Sequence, residues 1–393
     1  MNSLELFAGA GGLALGISNA GFNHKLLVEW DNDACNTIRL NQRRGNPVVM
    51  EWPLVESDVA LIDFTKYTDI DLLAGGPPCQ PFSVGGKHRG NEDHRNMFPQ
   101  MIRAIRELRP RVVVIENVKG LLRETFSRYF EYILLQVTYP ELTQRKNEQW
   151  TAHLDRLERH HTQGRHKGLS YNVVFRMLNA ADYGVPQKRE RVFIVGFRND
   201  LGIEWAFPEP THSYGALLWS QYVSGEYWDR HRVRSNATNP QAVTGRIRRL
   251  KASDTPPITL PWRTVRDALV GLPDPERVNK RGNIMNHEFR DGARAYHGHT
   301  GSPMDEPAKT LKAGDHGVPG GENMVVKADG SVRYFTVRES ARLQTFPDDF
   351  AFDGSWSESM RQIGNAVPVR LGEIVVESVR RTLEGQRRLE VAQ

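Results

Sequence analysis

Cys79 stands in the run Gly75-Gly76-Pro77-Pro78-Cys79-Gln80-Pro81-Phe82-Ser83, directly after a short apolar stretch. Two glycines permit close backbone approach and two prolines fix φ, so the thiol is presented on a stiff loop, as a nucleophile must be. A core cysteine beside a proline loop stop accounts for this stretch equally well. Glu116 follows the near-continuous apolar run Arg111 to Ile115, Glu29-Trp30-Asp31 closes the run Lys25 to Val28, and Phe7-Ala8-Gly9-Ala10-Gly11-Gly12 follows Ser3 to Leu6. A glycine-rich turn between a strand and a helix brings a ligand to N–H groups at a positive helix end. An acid at the end of the second strand takes ribose hydroxyls in α/β folds. Ala14 occupies the place of the third glycine of the dinucleotide fingerprint, so a nucleoside cofactor without a bound pyrophosphate fits better.

The elements that must position these groups follow from periodicity. Four apolar runs, separated by helical segments such as the one through Met101, Ile102, Ile105 and Leu108, end at Phe7, Glu29, Cys79 and Glu116. That alternation predicts a doubly wound parallel sheet, an α/β fold, whose strand ends converge on one crevice. The chain has 393 residues, 39% apolar and 25% charged, enough for two domains or one domain with a large insertion. No stretch reads as a membrane span or signal peptide, and Cys35 and Cys79 alone exclude a disulfide framework or cysteine zinc cluster, so a reducing cytoplasm is the expected setting. A formal charge of +5 leans weakly towards a polyanionic partner.

The glycine loop, the proline–cysteine loop and Glu116-Asn117-Val118 together resemble the motifs of DNA cytosine-5 methyltransferases. Later segments continue the resemblance in order: Gln187-Lys188-Arg189-Glu190-Arg191, Thr336 to Pro347, and Gln362-Ile363-Gly364-Asn365-Ala366-Val367-Pro368. It implies a Rossmann-like S-adenosylmethionine-dependent domain over 1–200, a smaller, mostly irregular or β target-recognition domain over 201–345, and a return to the first domain over 346–393. Cys79 would add to C6 of cytosine, and Glu116 would donate to N3 and accept from N4. Arg191 would hold O2 and Arg189 would orient the loop or phosphates. Phe7, Gly9, Gly11, Gly12, Glu29, Trp30, Asp58, Asn365 and Ala366 would surround S-adenosylmethionine, with no metal required. The absence of a long extension before Met1 matches the stand-alone prokaryotic enzymes of restriction–modification type, acting on the nucleoid as monomers beside a cognate endonuclease.

A base inside a duplex is out of reach of a thiol, so the target must be swung out and the DNA held from its other side. Arg230, Arg232, Arg234, Arg246, Arg248, Arg249 and Lys251 form a basic stretch suited to phosphates, although a solvated loop explains any one of them. The resemblance places Gln80, Ser83 and Thr310 at the DNA and, from position alone, Asp315, His316, Glu322 and Asn323 at base edges. The stretch 123–170 exceeds the family's usual connection, and Trp150, Leu154 and Leu157 at helical spacing predict a surface helical insertion there. Its histidines, His153, His160, His161 and His166, read as an exposed polar face rather than metal ligands, as do His287, His297 and His299. Two other functions stay open: a tRNA cytosine-5 methyltransferase and a catalytically inactive DNA-binding regulator.

Overall fold

The computed structural model describes residues 1–78, 96–164, 166–234, 243–253, 255–277, 284–313 and 323–392. Cys79, Gln80, Ser83, Asp315, His316 and Glu322 lie outside them. The described chain forms two compact units: residues 1–178, 190–208 and 372–393, and residues 179–189 with 209–371. The division differs from the expected one at three places. The segment 179–189 goes with the second unit, 201–208 stays with the first, and the return to the first begins at 372 instead of 346.

The first unit is built on a seven-stranded sheet in the order β3-β2-β1-β4-β5-β7-β6. Its strands are β1 (Asn2–Leu6), β2 (Asn23–Glu29), β3 (Leu54–Glu56), β4 (Leu72–Gly75), β5 (Val112–Val118), β6 (Tyr171–Asn179) and β7 (Glu190–Arg198). Strands β3, β2, β1, β4 and β5 pair in parallel, whereas β7 runs antiparallel to β5. The parallel half carries the expected alternation, with α1 (Gly12–Asn19), α2 (Asn32–Arg43) and α3 (Phe98–Leu108) between strands. α3 buries Met101, Ile102, Ile105 and Leu108 along one face and stops where Arg109 turns left-handed ahead of Pro110.

Register sorts the strand residues between the two faces. Leu4, Leu6, Leu26, Val28, Leu73, Val113, Ile115, Val192 and Ile194 share one core cluster with the α3 side chains. The alternate residues Glu5, Leu27, Ala74, Val112, Val114, Phe193 and Val195 are buried too, so both faces are covered. Glu5 pairs with Leu27 and Ala74, Ala74 with Val114, and Glu116 with Phe193. Counting by twos along each strand, Glu5, Glu29, Glu116 and Arg191 fall on the same face. Because β7 is antiparallel, its first residues lie at the edge where the parallel strands end.

The insertion is helical, as expected, but is not a loose surface appendage. α4 (Ser127–Thr138) is followed by α5 (Trp150–Gln163), whose Leu154 and Leu157 are fully enclosed in the same core cluster. His153 corrects the expectation of an exposed face: it is buried, with Nδ1 at 2.8 Å from the Tyr132 hydroxyl and Nε2 at 2.7 Å from the Leu142 carbonyl. A carbonyl only accepts, so Nε2 carries the proton and Nδ1 accepts from the tyrosine. His287 is likewise buried, between Thr336 and the Pro273 carbonyl.

The second unit has short strands, among them β8 (His212–Ser213), β9 (Leu260–Pro261), β10 (Ser302–Pro303), β11 (Met324–Val326) and β12 (Val332–Tyr334). Helices contribute more of it than expected: α6 (Tyr214–Tyr222), α7 (Glu226–His231), α8 (Thr244–Ser253), α9 (Val265–Leu269), α10 (Val337–Leu343) and α11 (Trp356–Asn365). A final helix, α12 (Val369–Ala392), leads back into the first unit. The motif around α10 serves the fold. Thr336 and Glu339 form a capping box, Arg333 pairs with Glu339 at 2.7 Å, and Arg338 donates to the carbonyls of Met285, Pro347 and Phe350. Among the described residues, no helix is long and apolar enough to cross a membrane.

His24 on β2 gives the first unit a testable acid sensitivity. Its Nε2 lies 3.1 Å from the Ala14 carbonyl and its Nδ1 3.1 Å from the Ser3 hydroxyl, an arrangement that suits the neutral ring. Burial holds its pKa down at about 4. Since the unfolded chain then binds the proton more readily, this contribution to stability is intact above about pH 6.5 and is lost as the pH falls towards 4. Urea unfolding of wild type should lose up to about 2 kcal/mol more between pH 7 and pH 5 than His24→Gln does. Equal losses in the two proteins would contradict the assignment.

Candidate active site

Two clusters are assembled at the strand ends of the first unit. The first forms where β1 and β2 stop. Phe7, Gly9 and Gly11 all have positive φ, at 59°, 54° and 88°, so the loop curls tightly before α1 begins at Gly12. A Cβ on Gly11 would stand 2.8 Å from the Trp52 ring, whereas one on Gly9 would meet nothing within 4 Å. Glycine at 11 is required by packing, and the space beside Gly9 is open. Glu29 braces the loop: Oε2 accepts from Gly9 N–H at 2.7 Å, and Oε1 from the N–H groups of Trp30 and Asp31 at 2.8 and 2.9 Å. Burial pushes the Glu29 carboxyl up from its ordinary value, and the three N–H donors pull it back.

Beside this carboxyl, Trp30 is 69% exposed, a large aromatic face left in water. Asp58 caps the turn after β3, accepting from Ala60 N–H at 2.8 Å through one oxygen. Glu5, which the sequence did not single out, is buried on the face shared with Glu29; its carboxyl is raised well above the ordinary value, first by burial and then by Glu29.

The second cluster forms where β4, β5 and β7 meet. Arg191 Nε lies 2.8 Å from Glu116 Oε1, with the two side chains 12% and 10% exposed. Burial lowers the Arg191 pKa while Glu116 raises it again. A Cβ on Gly76 would stand 3.2 Å from Glu116 Oε2, and one on Gly75 would stand 2.7 Å from the Leu6 carbonyl. The two glycines are therefore where a carboxyl and a neighbouring strand pass close to the loop. Asn117 secures that loop, donating through Nδ2 to the Pro77 carbonyl at 3.0 Å. Gly76 and Asn117 have their roles in this contact, and only the adjoining motif residues hinted at it. In the free protein Glu116 faces the Arg191 guanidinium at ion-pair distance.

The remaining residues belong to the second unit. Asn365 is exposed at the end of α11, and Ala366 follows as its cap. Arg189 is fully enclosed, donating to the carbonyls of Leu311, Gly364 and Ala366 at 3.0, 2.6 and 3.0 Å, so that of its two expected roles, orienting the loop or phosphates, these contacts agree with the first. Asn323 is also fully buried, its amide spent on the Lys312 main chain, which corrects its place among base-edge readers. Thr310 is partly exposed and donates to the Lys188 carbonyl at 2.7 Å. On α8, Ile247 is the anchor, leaving Arg246, Arg248, Arg249 and Lys251 exposed, with Arg246 5.2 Å from the centre of the Tyr214 ring. Arg232 is exposed beyond α7, whereas Arg230 is paired with Asp267 at 2.8 Å.

Comparison with known proteins identifies the family. The model of the C-5 cytosine-specific DNA methylases matches residues 1–138 and 165–381, leaving out the stretch that contains α5. The Type II methyltransferase M.Eco47II of Escherichia coli is 37% identical over 390 residues, covering 96% of this chain and 78% of that protein. M.NgoMIV of Neisseria gonorrhoeae, another Type II methyltransferase, is 31% identical over 386 residues, covering 97% and 98%. The crystal structure of the S. pombe Dnmt2 methyltransferase shares the fold with a TM-score of 0.54 at 16% identity, covering 98% and 99%. On the extent of these matches, the chain belongs to the family of C-5 cytosine-specific DNA methylases.

Proposed function

We propose that this DNA cytosine-5 methyltransferase uses S-adenosylmethionine to methylate a cytosine swung out of a specific duplex sequence, as the modification enzyme of a type II restriction–modification system. The observation that carries the reading is the Glu116–Arg191 pair. Cytosine presents O2, N3 and N4 side by side, and a guanidinium donor next to a carboxyl matches that edge: Arg191 to O2, Glu116 to N3 and N4. The base enters by substituting its own edge for part of the ion pair, and protonation at N3 by way of Glu116 keeps charge from building on the ring. Cys79, as thiolate, adds to C6, which makes C5 an enamine-like nucleophile. After methylation, loss of the C5 proton and elimination of Cys79 restore the ring.

The first cluster suits the cofactor. Bound there, S-adenosylmethionine supplies an electrophilic methyl group on a sulfonium. The open space at Gly9 admits its methionine part, Glu29 retains lone pairs for ribose hydroxyls, Trp30 offers a stacking face for adenine, and Asp58 has a second oxygen for the adenine amino group. Phe7, Gly11 and Gly12 shape the loop. Arg232, Arg246, Arg248 and Arg249 contact phosphates, with Thr310 also at the DNA. Exposed guanidiniums along α8, with a single apolar anchor, support that assignment.

Incubation with labelled S-adenosylmethionine and either duplex DNA or tRNA tests the substrate class: label on duplex DNA is expected, and label on tRNA alone would contradict it. Glu116→Gln should lower kcat on DNA by roughly a hundredfold or more, the usual worth of a positioned general acid. Gly76→Ala, which sets a methyl against Glu116 Oε2, should also depress kcat while the melting temperature stays close to wild type; unchanged turnover would remove Gly76 from the site. Trp30→Ala should raise the KM for S-adenosylmethionine about tenfold with kcat nearly unchanged, as loss of one aromatic stacking contact predicts. A KM within twofold of wild type would assign the exposed ring to something else.

A further inference from the structure

Glu5 is a buried carboxyl that the proposed reaction leaves without a role. It sits on β1, 1% exposed, and among the described residues its Oε2 meets no hydrogen-bond partner. Buried polar atoms in folded proteins are nearly always paired, so the orphan calls for a group that the chain itself does not supply.

Strand register places that carboxyl. One row across the sheet reads Leu27, Glu5, Ala74 and Val114, on β2, β1, β4 and β5. The next row on the same face, two residues further along each strand, reads Glu29, Phe7, Gly76 and Glu116. Its ends carry the carboxyls of the two clusters, and its middle is bare. Gly76 has no side chain, and Phe7, at φ 59°, packs against the core cluster of Leu4, Leu6 and the α3 side chains on the opposite face. Glu5 therefore lies beneath a gap that has Glu29 on one side and Glu116 on the other. Neighbouring strands are about 4.8 Å apart, so the two end residues are anchored about 14 Å from each other, which leaves room for a ligand group between them.

The connectivity of the cofactor decides what belongs in the gap. With its ribose on Glu29 and its methyl directed to a base on Glu116, the sulfonium, which is bonded to both the ribose carbon and the methyl, falls in the middle. We infer that Glu5 is a further cofactor-binding residue, whose carboxylate faces the sulfonium of S-adenosylmethionine from beneath and favours the charged cofactor over its neutral, demethylated product. This rests on the reading above, in which the first cluster holds the cofactor and Glu116 the base. Burial and, after it, Glu29 hold the Glu5 carboxyl well above its ordinary value, so it keeps its proton while the gap is empty. A cation in the gap offsets both causes, and the proton passes to solvent. Transfer of the methyl leaves a neutral thioether, so the attraction ends with the reaction and Glu5 takes a proton back. Because the positive charge is whole before the methyl moves and fades as it leaves, the contact serves binding and does not lower the barrier.

Calorimetric titration of the full chain with S-adenosylmethionine and, separately, with S-adenosylhomocysteine tests this without turnover. Glu5→Gln keeps the shape and removes the charge. It should raise the Kd for S-adenosylmethionine roughly tenfold and leave that for S-adenosylhomocysteine within about twofold, the scale of one partly screened charge contact. In turnover on DNA, the KM for S-adenosylmethionine should rise while kcat is not lowered. Equal losses for the two ligands would make Glu5 merely structural, and unchanged Kd values for both would remove it from the site; either result overturns the inference. Melting temperatures check that the variants are folded. Glu5→Asp, which keeps the charge but draws it back, should show a smaller loss of the same selective kind, and it carries the test if the glutamine variant does not fold. Wild-type protein that binds neither ligand would overturn the reading of the first cluster as a cofactor site, and this inference with it, and the wild-type titration identifies that outcome by itself.

Discussion

The site depends on the two different pairings made by β5. Its parallel partner β4 sets the carboxyl end of both strands at one edge, and its antiparallel partner β7 brings an arginine back to that edge from a segment more than seventy residues later. Seven paired residues, from Val112 opposite Phe197 to Val118 opposite Arg191, set the register. A slip of one residue would carry Arg191 to the other face of the sheet, away from Glu116. Removing one partner of a buried ion pair typically costs about 3–5 kcal/mol, so the pairing and the sheet register support each other.

Around that pair, the protein uses backbone geometry more than side-chain abundance. Glu29 is held by three N–H groups on a loop that only positive φ angles can form. Asn117 grips a proline carbonyl, and Gly76 is small because a carboxyl passes beside it. In the second unit the same economy appears in reverse, with buried polar side chains satisfying main-chain groups: Gln187 and Arg189 on Leu311, Asn323 on Lys312. Hydrogen-bonded main chain of this kind fixes position without apolar bulk, which leaves α8 free to expose a row of guanidiniums.

The parallel half of the sheet was legible because short apolar runs ending in Phe7, Glu29 and Glu116 alternate with helical spacing, and hydrophobic periodicity reports burial directly. The antiparallel return of β7 was not, since strand direction depends on long-range pairing that no local pattern encodes. The same limit explains Asn323 and Arg189. A polar residue has the same letter whether it points at a ligand or holds the main chain, and only tertiary contacts separate the two. His153 shows it again: in a run of polar residues it turned inward, because a tyrosine hydroxyl and a carbonyl were waiting for its two nitrogens. Gly76 and Gly364 were visible as glycines, but the carboxyl and the backbone that require them came from segments distant in sequence.

The central proposal is that the pair formed by Glu116 and Arg191 presents a cytosine to the thiol of Cys79. A duplex carrying 5-fluorocytosine at the target position tests it most directly, because fluorine at C5 cannot leave as a proton and the adduct cannot resolve. Mass spectrometry of the digested complex should find the base covalently attached through Cys79, with formation dependent on S-adenosylmethionine and greatly slowed in Glu116→Gln. Active enzyme that forms no adduct on a confirmed site, or an adduct mapped to Cys35, would contradict the account.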